Sequence, residues 1–200
     1  MLFRSILTAR ATSQGLKPPE EAFSPTISVD APILIPEDYV PDLNLRMALY
    51  RRMNELEDRP AIDSFAAELI DRFGDLPVEL KNLLIVIETK LNCKIACIAK
   101  IETGARGAVV TFRNDSFPEP QGLFAYIQRL NGTAKLRPDQ KFVIARDWNG
   151  PEARLNGALQ LSKGLAKVAQ GAVIRANPAK PAAPVPLKPK PPVGIFTSKR

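Results

Sequence analysis

The run IACIAKIETGARGAVVTFR, residues 95–113, is where the sequence changes period and with it the fold. Two stretches inside it, Ile95–Glu102 and Ala108–Arg113, are rich in β-branched and apolar residues. Between them lies Thr103-Gly104-Ala105-Arg106-Gly107, so the run predicts a β-hairpin with a five-residue, glycine-containing loop. Upstream the spacing is helical. Leu45, Leu49, Met53 and Leu56 follow Asp42 as one apolar stripe. Pro60 opens a second helix with Ile62, Phe65, Leu69 and Phe73 inward and Gly74 at its C-terminal end. Asp75 is placed to cap a third, where Leu80, Leu83, Leu84, Ile87 and Leu91 recur and Ile85 and Val86 widen the apolar face. That helix is expected to be the most buried.

Downstream, Pro118–Leu130 returns to helical spacing and Gly132 stops it. Thr133–Arg137 and Lys141–Arg146 form a second strand pair about Pro138-Asp139, and Asn149-Gly150-Pro151 opens a last helix reaching about Ala169. Ahead of all this, Ile27–Val29 and Ile33–Ile35 read as short extended pieces separated by Pro32. Helices followed by hairpins, without regular βαβ alternation, indicate an α+β fold. The expectation is a single domain of about five helices and two β-hairpins over residues 25–170. Residues 1–24 read as an irregular N-terminal segment. Residues 171–200, with seven prolines, read as an extended, disordered tail. The basic, acid-free first seventeen residues have the composition of a targeting peptide without a convincing cleavage signal, and a ragged fragment end is the preferred reading.

Composition narrows the chemistry. The 200 residues contain no histidine, which removes Ser-His-Asp and Cys-His catalysis and His-based zinc hydrolysis. Cys93 and Cys97, four apart, lack both the CxxC spacing and further soft ligands, so they read as buried or half-buried free thiols in a reducing compartment. No P-loop string is present, so the chain itself is not expected to hydrolyse ATP or to be an enzyme. No cofactor is expected, and no apolar run approaches a membrane span. The acidic pairs Glu37-Asp38, Glu57-Asp58 and Asp71 with Asp75 have sufficient roles at helix ends or beside basic neighbours.

The formal charge of +7 is unevenly placed. Residues 31–170 sum to +1, whereas residues 171–200 carry six cations and no acid. A dedicated DNA-binding body needs its positive field on the folded surface. DNA contact is therefore expected to be weak or confined to the tail, which leaves a small nucleic-acid-binding module with a basic arm as the alternative function. Gly104-Ala105-Arg106-Gly107 fits the GxxG of a KH module, but that loop joins two helices and here both flanks read as strands. Arg106 stays as an exposed contact at the tip. Arg46, Arg51 and Arg52, with Tyr50 beside them, form a basic helix face that is either a solvated side or a docking surface.

The ordered motifs over Pro32–Asp147 resemble a known family. They are Ile35-Pro36-Glu37-Asp38-Tyr39-Val40-Pro41-Asp42, Arg46, Leu49-Tyr50-Arg51-Arg52, and Glu68-Leu69-Ile70-Asp71-Arg72-Phe73-Gly74-Asp75-Leu76-Pro77. Lys100–Gly104, Gly107–Phe112 and Leu136-Arg137-Pro138-Asp139 continue the series. The chain is similar in these to the C-terminal domain of bacterial transcription-repair coupling factor. The resemblance implies a non-catalytic, autoinhibitory module of a cytoplasmic, superfamily-2, ATP-driven DNA translocase that displaces stalled RNA polymerase and recruits nucleotide excision repair. It implies that ATP and Mg²⁺ belong to motor lobes this chain lacks. The implied partner is the family's N-terminal module resembling a repair helicase. Contact with RNA polymerase and with the damage-recognition ATPase would be indirect. Exposure and charge make Arg46, Arg51, Arg52, Arg72 and Arg106 the candidate partner contacts. The basic proline-rich tail departs from the compact ending of the family.

Overall fold

The computed structural model describes residues 23–176, with side chains through Gly171. Element order is β1 (Thr26–Ser28), α1 (Leu43–Asn54), α2 (Arg59–Phe73), α3 (Val78–Ile95), β2 (Ile98–Gly104), β3 (Gly107–Phe112), a 3₁₀ turn (Arg113–Asp115), α4 (Pro120–Arg129), β4 (Ala134–Leu136), β5 (Phe142–Ala145) and α5 (Pro151–Ala176). The fold is α+β, as expected. The two hairpins are not separate: β3 and β5 pair antiparallel, giving one five-stranded sheet in the order β1-β2-β3-β5-β4. β1 adds to the edge in parallel, with Ile27 opposite Ile101. Nothing in a three-residue strand announces a partner seventy residues away.

Local chemistry sets the helix ends. The Asp42 carboxylate accepts from Leu45 N at 2.7 Å and that of Asp58 from Ala61 N at 2.8 Å, each satisfying a first-turn amide. Gly74 ends α2 at φ 87°, a backbone conformation that costs a Cβ-bearing residue energy. Asp75 does not cap α3. The residue before that helix is Pro77, which offers no side-chain acceptor, and Asp75 lies too far back. Ile33–Ile35 is not a strand either. Asn82 donates to Pro32 O at 3.1 Å and Ile35 N donates to the Tyr50 hydroxyl at 2.7 Å, so side chains hold this stretch against the helices.

The hairpin is tighter than its composition suggests. Gly104 pairs with Gly107, leaving Ala105-Arg106 as a two-residue loop. Gly107, at φ 126°, is required: a Cβ there would overlap the Ile144 carbonyl across the sheet. The last helix continues to Ala176, past the expected end near Ala169, because Gly171 does not break it and the first following proline is Pro178. The expectations for residues 1–22 and for the tail beyond Ala176 lie outside the described residues.

Two apolar clusters result. One sits under the sheet, where Ile98, Ile101, Val110, Phe112 and Phe142 meet Leu161 and Leu165 of α5. The other joins Leu49 and Met53 of α1, Phe65 and Leu69 of α2, and Leu80 and Leu84 of α3. α3 serves both, since its Cys93 lies in the first cluster. It shares deep burial with α5, against which it packs along its length. No helix among the described residues is long and apolar enough to cross a membrane.

Candidate interaction surface

The exposed side of α1 and α2 organises around a residue the charge pattern alone did not single out. Glu68 projects from α2 between two arginines. Arg52 of α1 donates to both carboxylate oxygens, at 2.8 and 2.7 Å, and Arg72, one turn along α2, donates to Oε1 at 3.1 Å. The two-pronged contact uses the planar guanidinium fork that lysine lacks. Hydrogen bonds from Arg52 and then Arg72 pull the Glu68 pKa down to about 2. Each arginine also lies over an aromatic face, Arg52 on Phe65 at 5.1 Å and Arg72 on Phe73 at 5.0 Å from the ring centre. The i,i+4 spacing of Glu68 and Arg72 was the available signal.

Of the five arginines named from sequence, this arrangement joins Arg52 and Arg72. Arg51 is exposed next to them, with no ion pair among the described residues. Arg46 is turned inward. Its side chain is 9% exposed, and it donates to Val40 O at 2.9 Å and to Glu37 at 2.7 Å. It closes the Ile35–Pro41 segment onto α1, and its place on the inner side of the helix excludes it as an exposed contact. Arg106 is exposed at the β2–β3 tip, in the other half of the molecule. Its backbone is held, since Arg146 N donates to Arg106 O at 3.1 Å. The Tyr50 hydroxyl, one turn from Arg46 on α1, accepts from Ile35 N and holds the same segment.

The geometry suits recognition. A carboxylate held ionised by two guanidiniums is a weak general base near neutrality. No group of His, Cys, Asp or Glu among the described residues could hold a metal ion. Cys93 is fully buried, and desolvation pushes its thiol up to about 12. Cys97 is half-buried, and both thiols are free. The GxxG tetrapeptide is flanked by strands. What the surface offers is a set of oriented N–H donors about one fixed anion. An incoming carboxylate can take the outward N–H groups, and an incoming guanidinium can compete for Glu68.

Residues 29–123 match the TRCF domain family. A transcription-repair-coupling factor of Rickettsia bellii (strain RML369-C) is 35% identical over 127 residues, covering 64% of this chain and 11% of that protein. One from Haemophilus influenzae (strain ATCC 51907 / DSM 11121 / KW20 / Rd) is 29% identical over 170 residues, covering 82% of this chain and 15% of that protein. The chain thus spans only 11–15% of the length of these curated relatives. A solved structure described as the C-terminal domain of transcription-repair coupling factor superposes with a TM-score of 0.61. It is 17% identical, and the match covers 74% of this chain and 96% of that one, a likeness of fold.

Proposed function

Through its TRCF domain this chain belongs to the transcription-repair-coupling factor family, and from that we propose that it is a non-catalytic regulatory module of such a factor. It would act as a lid, docking on an N-terminal repair-helicase-like module and covering that module's recruitment surface until a motor rearranges. The full-length factor would be the ATP-dependent DNA translocase. RNA polymerase and the damage-recognition ATPase would be partners of that larger assembly, in the cytoplasm, and ATP and Mg²⁺ would belong to its motor.

The observation that carries the proposal is the match of residues 29–123 to the TRCF domain; the fold agrees with it, since 74% of this chain superposes on 96% of a solved C-terminal domain. Charge and surface support it. The body between the tails is nearly neutral, and its fixed arginine pair suits a reversible protein contact. Holding a lid closed at 99:1 takes about 2.7 kcal/mol, within reach of a few charged anchors.

The test adds the purified chain in trans to a factor truncated before this domain. ATPase activity, or recruitment of the damage-recognition ATPase, should fall as the chain is titrated, and Arg52→Ala with Arg72→Ala should shift the curve at least tenfold. No effect at saturating chain overturns the reading. The six cations in residues 171–200 favour a second reading, a nucleic-acid-binding arm. Filter binding with a steep salt slope, abolished by removing those residues, would support it.

A further inference from the structure

Leu83, Ile87 and Leu91 recur one turn apart on α3 and are only half-buried, although the helix lies in the middle of the fold. They form one wall of an open cleft of about 750 Å³; Tyr50 and Asn54 at the end of α1 and Leu56 beyond it form the other, with Phe23 and Ser24 also in the lining. Met53 and Val86 close its floor, at 3% and 5% exposure. Three cations line the same cleft: Lys90 and Lys94, one turn apart on α3, and Arg113 from the 3₁₀ turn. Among the described residues no carboxylate lines it, and none of the three makes an ion pair. Arg113 instead lies over the Phe23 ring, 4.9 Å from its centre.

We propose that this α1–α3 cleft is a docking site for an acidic amphipathic segment of a partner protein. Like charges beside an apolar, poorly hydrated floor focus a positive potential that an anion relieves. Neither end of the chain is a net anion: residues 1–22 carry three cations against Glu20 and Glu21, and residues 171–200 carry six cations and no acid. The occupant therefore comes from elsewhere and brings carboxylates. The floor is mostly aliphatic, so it takes Leu-like side chains in preference to stacked bases. From Leu83 to Lys94 the helix runs about 17 Å, room for three turns of a helix whose apolar residues recur at i, i+3, i+4 and i+7. The site is separate from the Glu68 arginines, and the inference does not depend on the lid reading.

The test uses the full chain and a fluorescein-labelled fourteen-residue peptide with Leu at those helical positions and Glu elsewhere. A second peptide replaces every Glu by Lys. By anisotropy the acidic peptide should bind at least tenfold tighter than the basic one, weaken in 0.5 M NaCl, and lose at least tenfold with Lys90→Glu/Lys94→Glu. Circular dichroism checks the fold of that variant, and Lys90→Gln/Lys94→Gln gives the same readout if charge reversal unfolds the chain. Cys97 lines the cleft and reports occupancy, because Cys93 is buried and unreactive. Saturating acidic peptide should slow alkylation of Cys97 by iodoacetamide at least threefold. Absent or equal binding of the two peptides, affinity indifferent to the lysines, or unprotected Cys97 overturns the proposal. Tighter, Cys97-protecting binding of a twenty-residue oligothymidylate or of phosphatidylglycerol vesicles also overturns it, by assigning the cleft to another class of ligand.

Discussion

Replacing Glu68 by glutamine removes the charge that two guanidiniums share, and its effect should depend on pH in a defined direction. The folded carboxyl sits at about 2 against an ordinary 4.5. Its contribution to stability is therefore fully present above pH 4.5 and is lost as pH falls through 2. Urea unfolding of the native chain and Glu68→Gln should differ at pH 6 and converge near pH 2. A gap independent of pH would mean that packing, not the shared charge, holds the arginines. Gly157 makes a different kind of demand. The Trp148 ring lies directly on it, so an added methyl overlaps the indole. Gly157→Ala should cost about 2 kcal/mol through overpacking, read as a lower urea midpoint at unchanged slope. At this scale the sequence is least informative. Arg46 and Arg52 look alike in a list of cations, and only the turn of the helix makes one a buried brace and the other a surface anchor.

The junction of α2, α3 and α5 shows what periodicity conceals. Glu88 occupies a buried position on α3, where an apolar residue fits the pattern, and its carboxylate meets Arg59 of α2 and Lys163 of α5, the latter at 2.7 Å. Both cations reach solvent, whereas the Glu88 side chain is 9% exposed. Glu88→Ala frees two groups that water can take up and should cost about 1 kcal/mol. Arg59→Ala with Lys163→Ala strands the buried carboxylate and should cost about 3 kcal/mol or more. Thermal or urea unfolding orders the two; the reverse order would mean that the carboxylate reaches water. Element types were legible because the helices repeat their apolar positions over about two turns or more and the strands do not. The pairing of β1 with β2, the joining of the hairpins and the two-residue turn were not legible. The two pairings are decided by residues far apart in the chain, such as Gly107 against Ile144, and the turn by how far the β2–β3 pairing runs toward its tip. The arginine pair was half legible: its cations stood out, and the carboxylate uniting them did not.

At the scale of the molecule, two apolar clusters are bound into one body by α3, which lends Leu80 and Leu84 to one and Cys93 to the other. The Glu68 arginines belong to the half built by α1 and α2, whereas the cleft lies where that half meets Cys97 and Arg113 beside the β2–β3 hairpin. The other half offers Arg106 and the sheet edges. One of those edges is β1, three residues in parallel register, followed by an ion pair from Asp30 to Arg154 at 3.0 Å and the bond from Asn82 to Pro32 O. A mechanical load on the polypeptide ahead of Thr26 meets these ties, together with the packing of Ile27 on the edge of one cluster, before it meets the centre of either core. Pulled from that end in an optical trap, the protein should give way first in a small step, releasing about ten residues or roughly 35 Å of contour. Only afterwards should the main body rupture. The edge strand then works as a fuse, yielding slack under tension while the surfaces that meet other proteins keep their shape.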